Sequence, residues 1–435
     1  MWGGGIYTVQ NKELPGAYFK FESETGTNNV FSNRGVVALV DTLSWGASGV
    51  TTITRDDFLR NSEKLLGYDY THEKMKPLRE LFYGAEKVIL YRVGTGVQAS
   101  NTLAKAVHAG VRGNDLSISV TASDSNFVVA TKLDGRVVDK QTVAAAKDLQ
   151  PNAWVTFTAS ELKATESDQA LTSGSDGTAL AKDHQTALGI LEGYTFDVLA
   201  CPSADEAIRS LYKAWTKNTI ENLGKYHQLV VYRDTKVSNK YVISVHNTVK
   251  DSGAPAYALV YYVAGIEAAC AVNKDLTAHD YVGEYEIDGD ITEATLKELK
   301  RQGQFVFHRV NNVFTVLLDL NTYKDWTSDI EEDFRYNQVI RVLNQRANDV
   351  QILFTRYYLG KGGTDANARM LFKNDLVSNM EKGLVRIGAV IEYVSEDTVI
   401  EKGEQARSYH VRERIKPNMA VTHLYHDIVL TREGE

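Results

Sequence analysis

Apolar runs of strand length alternate with amphipathic segments over much of the chain. Arg34–Val40 and Lys87–Val93 are apolar on both faces, and Thr54–Leu66 between them has a helical pattern. The alternation resumes at Phe196–Ala200 and continues through Val242–Val245. Strands that are apolar on both faces are typical of a sheet covered by helices on both sides. The pattern therefore predicts an α/β core built from two separated parts of the chain.

The stretch between these two parts has a different pattern. Leu116–Val120 and Trp154–Thr158 alternate apolar with polar residues, and Asp134-Gly135 separates two further β-prone segments. An Asp-Gly pair between alternating segments is a strong hairpin signal. We therefore expect a small all-β domain inserted into the α/β core.

The last third of the chain begins with the longest helical pattern. Ser328 with Glu331 resembles a capping box, and apolar residues then recur every three or four positions up to Gly360. A second helix is predicted over Asp365–Lys382, with β-prone segments after it. These elements predict a C-terminal α+β domain.

Both ends of the chain are β-prone but too short to form a sheet alone. The first is interrupted at Pro15-Gly16, and the last contains more apolar residues than a disordered tail carries. Frayed termini remain the alternative interpretation. The predicted fold class is multidomain α+β and α/β, divided as follows: 1–22, N-terminal arm; 23–97 with 187–325, α/β core; 98–186, inserted β domain; 326–414, C-terminal α+β domain; 415–435, C-terminal arm.

Composition narrows the class of protein. The chain has 435 residues, 43% of them hydrophobic, and a net charge of -8, which argues against a general nucleic-acid binder and against attraction to anionic membranes. Cys201 and Cys270 lie far apart in sequence, so we expect buried free thiols in a reducing compartment. Met1–Gln10 lacks the features of a signal peptide, and Tyr257–Val272 is too short and too polar to span a bilayer.

Three sequence patterns suggest chemistry, and none is complete. Gly94, Gly96 and Ala99 follow a predicted strand as in a dinucleotide fingerprint, but a β pattern follows where the motif requires a helix. Gly360–Thr364 has the composition of a phosphate loop without its spacing, and His423 with His426 lacks the glutamate of a zinc protease. We predict no catalytic residue, no cofactor and no metal. A nucleotide-binding cytoplasmic α/β enzyme that uses Gly94 and Gly96 remains the alternative.

Several segments, in the expected order, resemble the contractile tail sheath family of myophages and phage-tail-like bacteriocins. The most specific is Ala109–Asp115, which is similar to the GxRGND segment that opens the family's inserted domain. Asp275 stands where the family commonly has serine, a mild departure. The other similar segments are Leu14–Tyr18, Arg34–Ala38, Val263–Thr277, Val313–Asp319 and Asp333–Arg346.

The resemblance implies a structural subunit and not an enzyme. Such subunits form a helical homo-oligomer of stacked hexameric rings around a tail tube, and contraction drives the tube through a target cell envelope. The implied partners are further copies of the chain, the tail tube protein, and the baseplate and tail terminator proteins, without direct contact with nucleic acid or membrane. The implied location is the tail of a virion or tail-like particle that is assembled in the bacterial cytoplasm. A phage, a prophage and a bacteriocin all fit, and a different self-assembling structural protein is a further alternative.

The resemblance also assigns roles to residues. Both arms are expected to add strands to the C-terminal domain of a neighbouring subunit, with the inserted domain on the outside and the C-terminal domain facing the tube. The expected arm residues are Pro15, Gly16, Tyr18, Phe19, Phe21, Val421, Leu424, Ile428, Val429 and Leu430. The signature turn, read as structural, consists of Gly110, Arg112, Gly113, Asn114 and Asp115. The candidates for contact with an acidic tube wall are Lys361, Arg369, Lys373 and Lys382.

Overall fold

The computed structural model describes residues 3–6, 13–19, 34–94 and 96–429, so Phe21 and Leu430 lie outside the described residues. The first two strands are β1 (Gly3–Ile6) and β2 (Gly16–Phe19), which pair in parallel with Gly3 opposite Gly16. No third strand joins this pair within the described residues.

The first part of the core follows from the local signals of its sequence. Thr54 caps the first helix, since its hydroxyl accepts a hydrogen bond from the Asp57 amide at 3.1 Å, and Gly67 ends the helix with a φ of +86°. The elements are β3 (Val36–Asp41), β4 (Gly49–Thr54), α1 (Arg55–Leu66), a 3₁₀ turn (Glu73–Met75), α2 (Lys76–Gly84) and β5 (Lys87–Arg92).

The inserted domain is all-β. Its elements are β6 (Ala104–Ala106), a 3₁₀ turn (Val111–Asp115), β7 (Leu116–Ser123), β8 (Asn126–Leu133), β9 (Arg136–Val143), β10 (Val155–Phe157) and β11 (Gln169–Ala170). The predicted hairpin joins β8 to β9, with φ +51° at Asp134 and +77° at Gly135. Trp45, from the core domain, lies in the apolar centre of the insert, 5.5 Å from Trp154 between ring centroids.

The second part of the core supplies most of the central sheet. Its helices are α3 (Ala181–Leu191), α4 (Glu206–Leu223), α5 (Leu259–Ala269) and α6 (Glu293–Arg301). Its strands are β12 (Val198–Cys201), β13 (Gln228–Tyr232), β14 (Val242–Val245), β15 (Thr248–Val249), β16 (Ile287–Asp288), β17 (Gln304–Phe305), β18 (Phe307–Val310) and β19 (Val313–Val316).

The seven-stranded sheet runs in the order β17-β14-β13-β12-β3-β5-β4, and only β4 is antiparallel to its neighbour. Helices α2 and α5 cover one face, while α3 and α4 cover the other. Every residue of β12, β13 and β14 is buried, which explains why these strands are apolar on both faces. Cys201 and Cys270 are both free and buried, as predicted.

The C-terminal domain combines two helices with one hairpin. Its elements are a 3₁₀ turn (Glu332–Arg335), α7 (Asn337–Leu353), a π turn (Phe354–Tyr358), α8 (Ala366–Met380), a π turn (Glu381–Val385), a 3₁₀ turn (Ser395–Asp397), β20 (Thr398–Lys402) and β21 (Tyr409–Glu413). Together with the core and the insert, this domain confirms the predicted multidomain fold class. Residues 418–429 form no strand within the chain.

The prediction of one helix from Ser328 to Gly360 is wrong at its start. The helix begins at Asn337, because Tyr336 is extended and forms a β-bridge with Leu320. The predicted capping box at Ser328 is therefore not formed. The β-bridge to Leu320 holds Tyr336 in an extended conformation, although the local sequence favours a helix.

Candidate intersubunit surfaces

The C-terminal tail is attached to its own domain as far as Ala420. Pro417 forms a β-bridge with Val390, and the Asn418 amide donates to the Ala389 carbonyl at 2.9 Å. The buried Gln338 of α7 then binds the tail through both ends of its amide. It donates to the Asn418 carbonyl at 3.0 Å and accepts from the Ala420 amide at 3.0 Å.

Beyond Ala420 the described tail is exposed, although five of its nine residues are apolar or aromatic. The predicted arm residues Val421, Leu424, Ile428 and Val429 are 82% to 89% exposed. Single exposed apolar residues are common on protein surfaces, but several large apolar side chains that lie close together in one exposed segment indicate an interaction site. Leu430, the last predicted arm residue, lies outside the described residues.

The same domain offers a sheet edge that a tail could extend. β20 and β21 pair over five residues each, from Thr398 opposite Glu413 to Lys402 opposite Tyr409. No other strand joins this hairpin in the part of the chain that the structure describes. An unpaired edge is a template for a strand from another chain.

The N-terminal arm residues lie against their own chain. Gly16, Tyr18 and Phe19 belong to β2, and Phe19 packs edge to face on Tyr226 with ring centroids 5.4 Å apart. Pro15 precedes the strand and is exposed. In the single chain, this arm is therefore docked while the C-terminal tail is not.

Arg112 of the signature turn joins the insert to the core. Its guanidinium donates to the Gly67 carbonyl of the core at 2.6 Å and to both Asp134 oxygens of the β8–β9 turn at 2.7 and 2.8 Å. It also donates to Asp115 at 2.9 Å and lies over the Tyr68 ring at 4.4 Å. Hydrogen bonds from Arg112 hold the pKa of Asp134 below its usual range.

The other members of the signature turn act through close packing and side-chain hydrogen bonds. A Cβ on Gly110, whose φ is +132°, would lie 1.9 Å from the Ser44 carbonyl oxygen, so only glycine fits. A Cβ on Gly113 would lie 2.9 Å from the Cβ of Ala99. Asn114 has no positive φ. It lies in the 3₁₀ turn and exchanges two side-chain hydrogen bonds with the backbone of Gly174, at 2.7 and 3.0 Å.

The predicted tube-facing cations come from three segments of the C-terminal domain. Arg369 and Lys373 lie one turn apart on α8, whereas Lys382 lies beyond its end and borders a cleft with Leu353 and Tyr357. The Lys361 ammonium donates to the Arg356 carbonyl at 2.8 Å, and Arg369 donates to the Thr364 carbonyl at 2.7 Å. A role at the tube remains a prediction for all four residues.

A buried ion cluster that was not predicted from the sequence lies between the core and the C-terminal domain. Arg341 of α7 is fully buried, and its guanidinium donates to Glu267 of α5 and to Asp319, each at 2.6 Å. The Asn337 amide donates to Asp319 at 2.7 Å and to Glu267 at 3.0 Å. Burial and the neighbouring Asp319 raise the pKa of Glu267 well above its usual value. Although it is also buried, Asp319 has a lowered pKa because Arg341 attracts its negative charge.

This cluster balances one positive charge with one negative charge if Glu267 keeps its proton. Glu267 is the acidic residue within the apolar segment Tyr257–Val272, and that position was the available sequence signal. The partners of Glu267 lie more than fifty residues away in the chain, so spacing alone could not identify them.

The incomplete chemical motifs have structural roles. β6, and not a helix, follows Gly94, Gly96 and Ala99, so the dinucleotide fingerprint lacks the helix that would bind phosphate. A Cβ on Gly96 would lie 2.4 Å from the Ser175 carbonyl oxygen, so this glycine lets two chain segments cross. Among the described residues, no cluster of potential metal ligands is found, and no helix is long and apolar enough to cross a membrane.

Comparison with protein-family models gives four matches, which follow one another along the chain. They are the tail sheath protein Gp18 domain III N-terminal region at residues 34–93, the phage tail sheath protein beta-sandwich domain at 94–176, the phage tail sheath protein central domain at 177–322 and the phage tail sheath C-terminal domain at 329–431.

Individual proteins agree with these matches. The phage-like element PBSX protein XkdK of Bacillus subtilis (strain 168) is 28% identical over 382 residues, which cover 80% of this chain and 81% of that protein. The sheath tail protein of Desulfitobacterium hafniense has a TM-score of 0.80 at 28% identity, covering 92% of this chain and 100% of that one. The anti-feeding prophage helical sheath in its contracted state shares the fold, with a TM-score of 0.56 at 12% identity over 96% of this chain and 99% of that one. The chain belongs to the phage tail sheath protein family, and it is a structural subunit of a tail sheath.

Proposed function

We propose that this chain polymerises as stacked hexameric rings around a tail tube and contracts to drive the tube through a target cell envelope. The observation that carries the proposal is the C-terminal tail. It is held at Ala420 by Gln338 and then presents an exposed apolar segment through Val429. Such a segment is a liability in a single subunit and a connector in a polymer.

The tail's partner in this proposal is the β20–β21 hairpin of a neighbouring subunit. Strand addition satisfies backbone groups on both chains, and alternate side chains of the added strand pack on one face. Leu424 and Ile428 share one such face, while Val421 and Val429 share the other. Because the donated strand and its acceptor edge are different surfaces, the contact is heterologous and extends as a helix without closing.

Contraction follows from two packings of the same subunits that differ in free energy. The extended packing is a kinetic trap that a baseplate signal releases. The attachment at Ala420 lets each tail stay paired with the neighbour's hairpin while the globular parts of the subunits move. The buried Arg341 cluster holds each core to its own C-terminal domain during this movement. No nucleotide hydrolysis is required.

The remaining partners are the tail tube protein, the baseplate and the tail terminator. The C-terminal domain would face the tube, with Lys361, Arg369, Lys373 and Lys382 near an acidic wall, and the inserted domain would lie outside. Exposed ion pairs are worth about 0–1 kcal/mol each, so such contacts could be broken one by one during contraction. Reversing the charge at Lys373 without any loss of assembly on tubes would count against this orientation.

Removal of the tail tests the polymer. A variant that ends at Ala420 should remain folded, because residues 421–429, the described part of what is removed, are exposed. It should form no tubes by negative-stain electron microscopy. The full-length variant Leu424→Ser/Ile428→Ser should fail in the same way, whereas Thr422→Ser should assemble normally. Regular tubes from the truncated chain would refute the proposal, and closed shells from the intact chain would indicate another kind of assembly.

A further inference from the structure

The N-terminal arm meets the core at Arg34. Residues 20–33 separate this arginine from β2, and β3 begins two residues after it. β3 is an inner strand of the central sheet, since it pairs with β12 on one side and with β5 on the other. A pull on an arm that is bound elsewhere therefore reaches the described part of the core first at residues 34–36. Chain ends fray at little cost in free energy unless contacts hold them, so the contacts of these three residues decide how well the strand resists.

Arg34 holds the C-terminal end of the buried helix α5. Its guanidinium donates to the Glu267 and Cys270 carbonyls, each at 3.0 Å. The last carbonyls of a helix have no partners within the helix and carry a partial negative charge, so a guanidinium there is held by charge as well as by hydrogen bonds. The Arg34 side chain is 9% exposed, so water competes little for these carbonyls.

Asp197, directly before β12, holds the same three residues. One of its carboxylate oxygens accepts from the Gly35 and Val36 amides, each at 3.0 Å, and the other lies 3.5 Å from the Arg34 guanidinium. The Asp197 amide donates to the Val36 carbonyl at 2.9 Å. The start of β3 is therefore tied to α5 and to β12 at the same point.

Glu267 connects this point to the C-terminal domain. Its backbone carbonyl accepts from Arg34, and its side chain accepts from Arg341 of α7 at 2.6 Å. One turn before Arg341 on the same helix lies Gln338, whose amide holds the C-terminal tail at Ala420. A short series of polar contacts through α5 and α7 therefore joins the points at which the two arms leave the subunit.

We propose that Arg34, Glu267 and Arg341 form a tension-bearing link between these two points, so that a pull from one neighbour passes to the next without unravelling β3. The inference rests on the polymer proposed above, in which both ends of the chain join neighbouring subunits. Contraction loads this link, because each subunit moves while its arms stay paired. Charged hydrogen bonds are among the stronger contacts that side chains make, and here they lie in series between the two arms.

Constant-force optical tweezers measure the link on free full-length subunits. Handles are attached at Leu14→Cys and Val421→Cys, two exposed positions, and the native Cys201 and Cys270 are buried. Detachment of the arm should extend the chain by at most about 70 Å, the length of the twenty residues from position 14 to position 34, and the core should then hold. The lifetime of this held state at constant force is compared between variants.

Arg34→Gln should shorten this lifetime at least about tenfold, a loss of about 1.4 kcal/mol from the barrier, because the charged contacts with α5 and Asp197 are removed. Arg34→Lys keeps the charge on a single ammonium, should give an intermediate lifetime, and supplies the measurement if Arg34→Gln does not fold. Arg79→Gln is the matched control, since Arg79 also donates to two carbonyls and a carboxylate but belongs to α2, outside the link. This control should change the lifetime by less than about twofold.

A second pair of handles separates a tension-bearing role from a general effect on stability. Ser125→Cys in the inserted domain and Lys297→Cys on α6 are at exposed positions, and they apply the force without pulling on Arg34 through the N-terminal arm. There Arg34→Gln should shorten the lifetime of the folded subunit by less than about twofold. Equal shortening with both pairs of handles, or an unchanged lifetime with the first pair, would overturn the link. Failure to form tubes would refute the polymer instead, since the force measurement uses free subunits.

Discussion

Replacing the two carboxyl groups that contact Arg341 one at a time should have unequal effects. If Glu267 carries a proton and Asp319 carries the charge, Glu267→Gln preserves both the shape and the charge of the cluster. We expect it to change the free energy of unfolding by less than about 1 kcal/mol, the scale of one neutral hydrogen bond.

Asp319→Asn removes the counter-ion of a guanidinium that is fully buried. Breaking a buried pair costs about 3–5 kcal/mol when nothing replaces the lost charge. Here Glu267 lies 2.6 Å from Arg341 and can release its proton, so we expect the single variant to lose only part of this, about 1–3 kcal/mol. The double variant Glu267→Gln/Asp319→Asn leaves no carboxylate in contact with Arg341 and should lose the full amount.

Guanidinium denaturation at neutral pH, followed by circular dichroism, measures all three variants. The expected result is that the double variant is less stable than the sum of the single effects predicts, because either of the two contacting carboxyl groups can carry the negative charge beside Arg341. Equal losses from the two single variants would refute the assignment of the proton to Glu267. If the loss of unfolding free energy in the double variant equals the sum of the two single losses, Glu267 does not take over the negative charge when Asp319 is replaced.

Three further predictions concern other parts of the molecule. Asp134→Asn should lower the thermal midpoint of the inserted domain, because Arg112 loses the negative charge of its partner. Asp168→Asn, which removes the partner of Lys132 in an exposed ion pair, should leave the midpoint unchanged, and equal shifts from the two variants would contradict the role of Arg112. Gly110→Ala should cost more than about 2 kcal/mol by chemical denaturation, because its Cβ overlaps a carbonyl oxygen, and a neutral result would contradict the packing argument. Burial raises the pKa of Asp349 to about 7, so its folded form binds the proton more tightly than its unfolded form. Stability should therefore fall as the pH rises from about 4 to about 7. In denaturant titrations, the stability of Asp349→Asn relative to the unchanged chain should increase by about 2–3 kcal/mol between about pH 5 and pH 8, and a difference that does not depend on pH would refute the raised pKa of Asp349.

The sequence predicted those turns and strands whose conformation is determined by neighbouring residues. The Asp134-Gly135 turn and the buried strands of the core are present because turn chemistry and apolar runs leave few alternatives. The start of α7 was mispredicted, since the bridge between Tyr336 and Leu320 depends on a contact with another part of the chain.

In the candidate functional regions, too, local features could be predicted from the sequence, whereas contacts between distant segments could not. The apolar tail could be recognised from Val421 to Val429 without a structure, and the structure adds its attachment to Gln338. The sequence marked Glu267 as unusual, because it is acidic within an apolar segment, but it could not identify the partners of Glu267, which come from two other segments of the chain. The docked position of Phe19 depends equally on surfaces of α4 and α7 that meet only in the folded chain.

A helical reconstruction of tubes grown from the intact chain tests the role of the tail most directly. The account predicts that residues 421–429 of each subunit are paired as a strand with the β20–β21 hairpin of a neighbour. Density that instead follows each tail back onto its own subunit, with no strand passing between subunits, would contradict it.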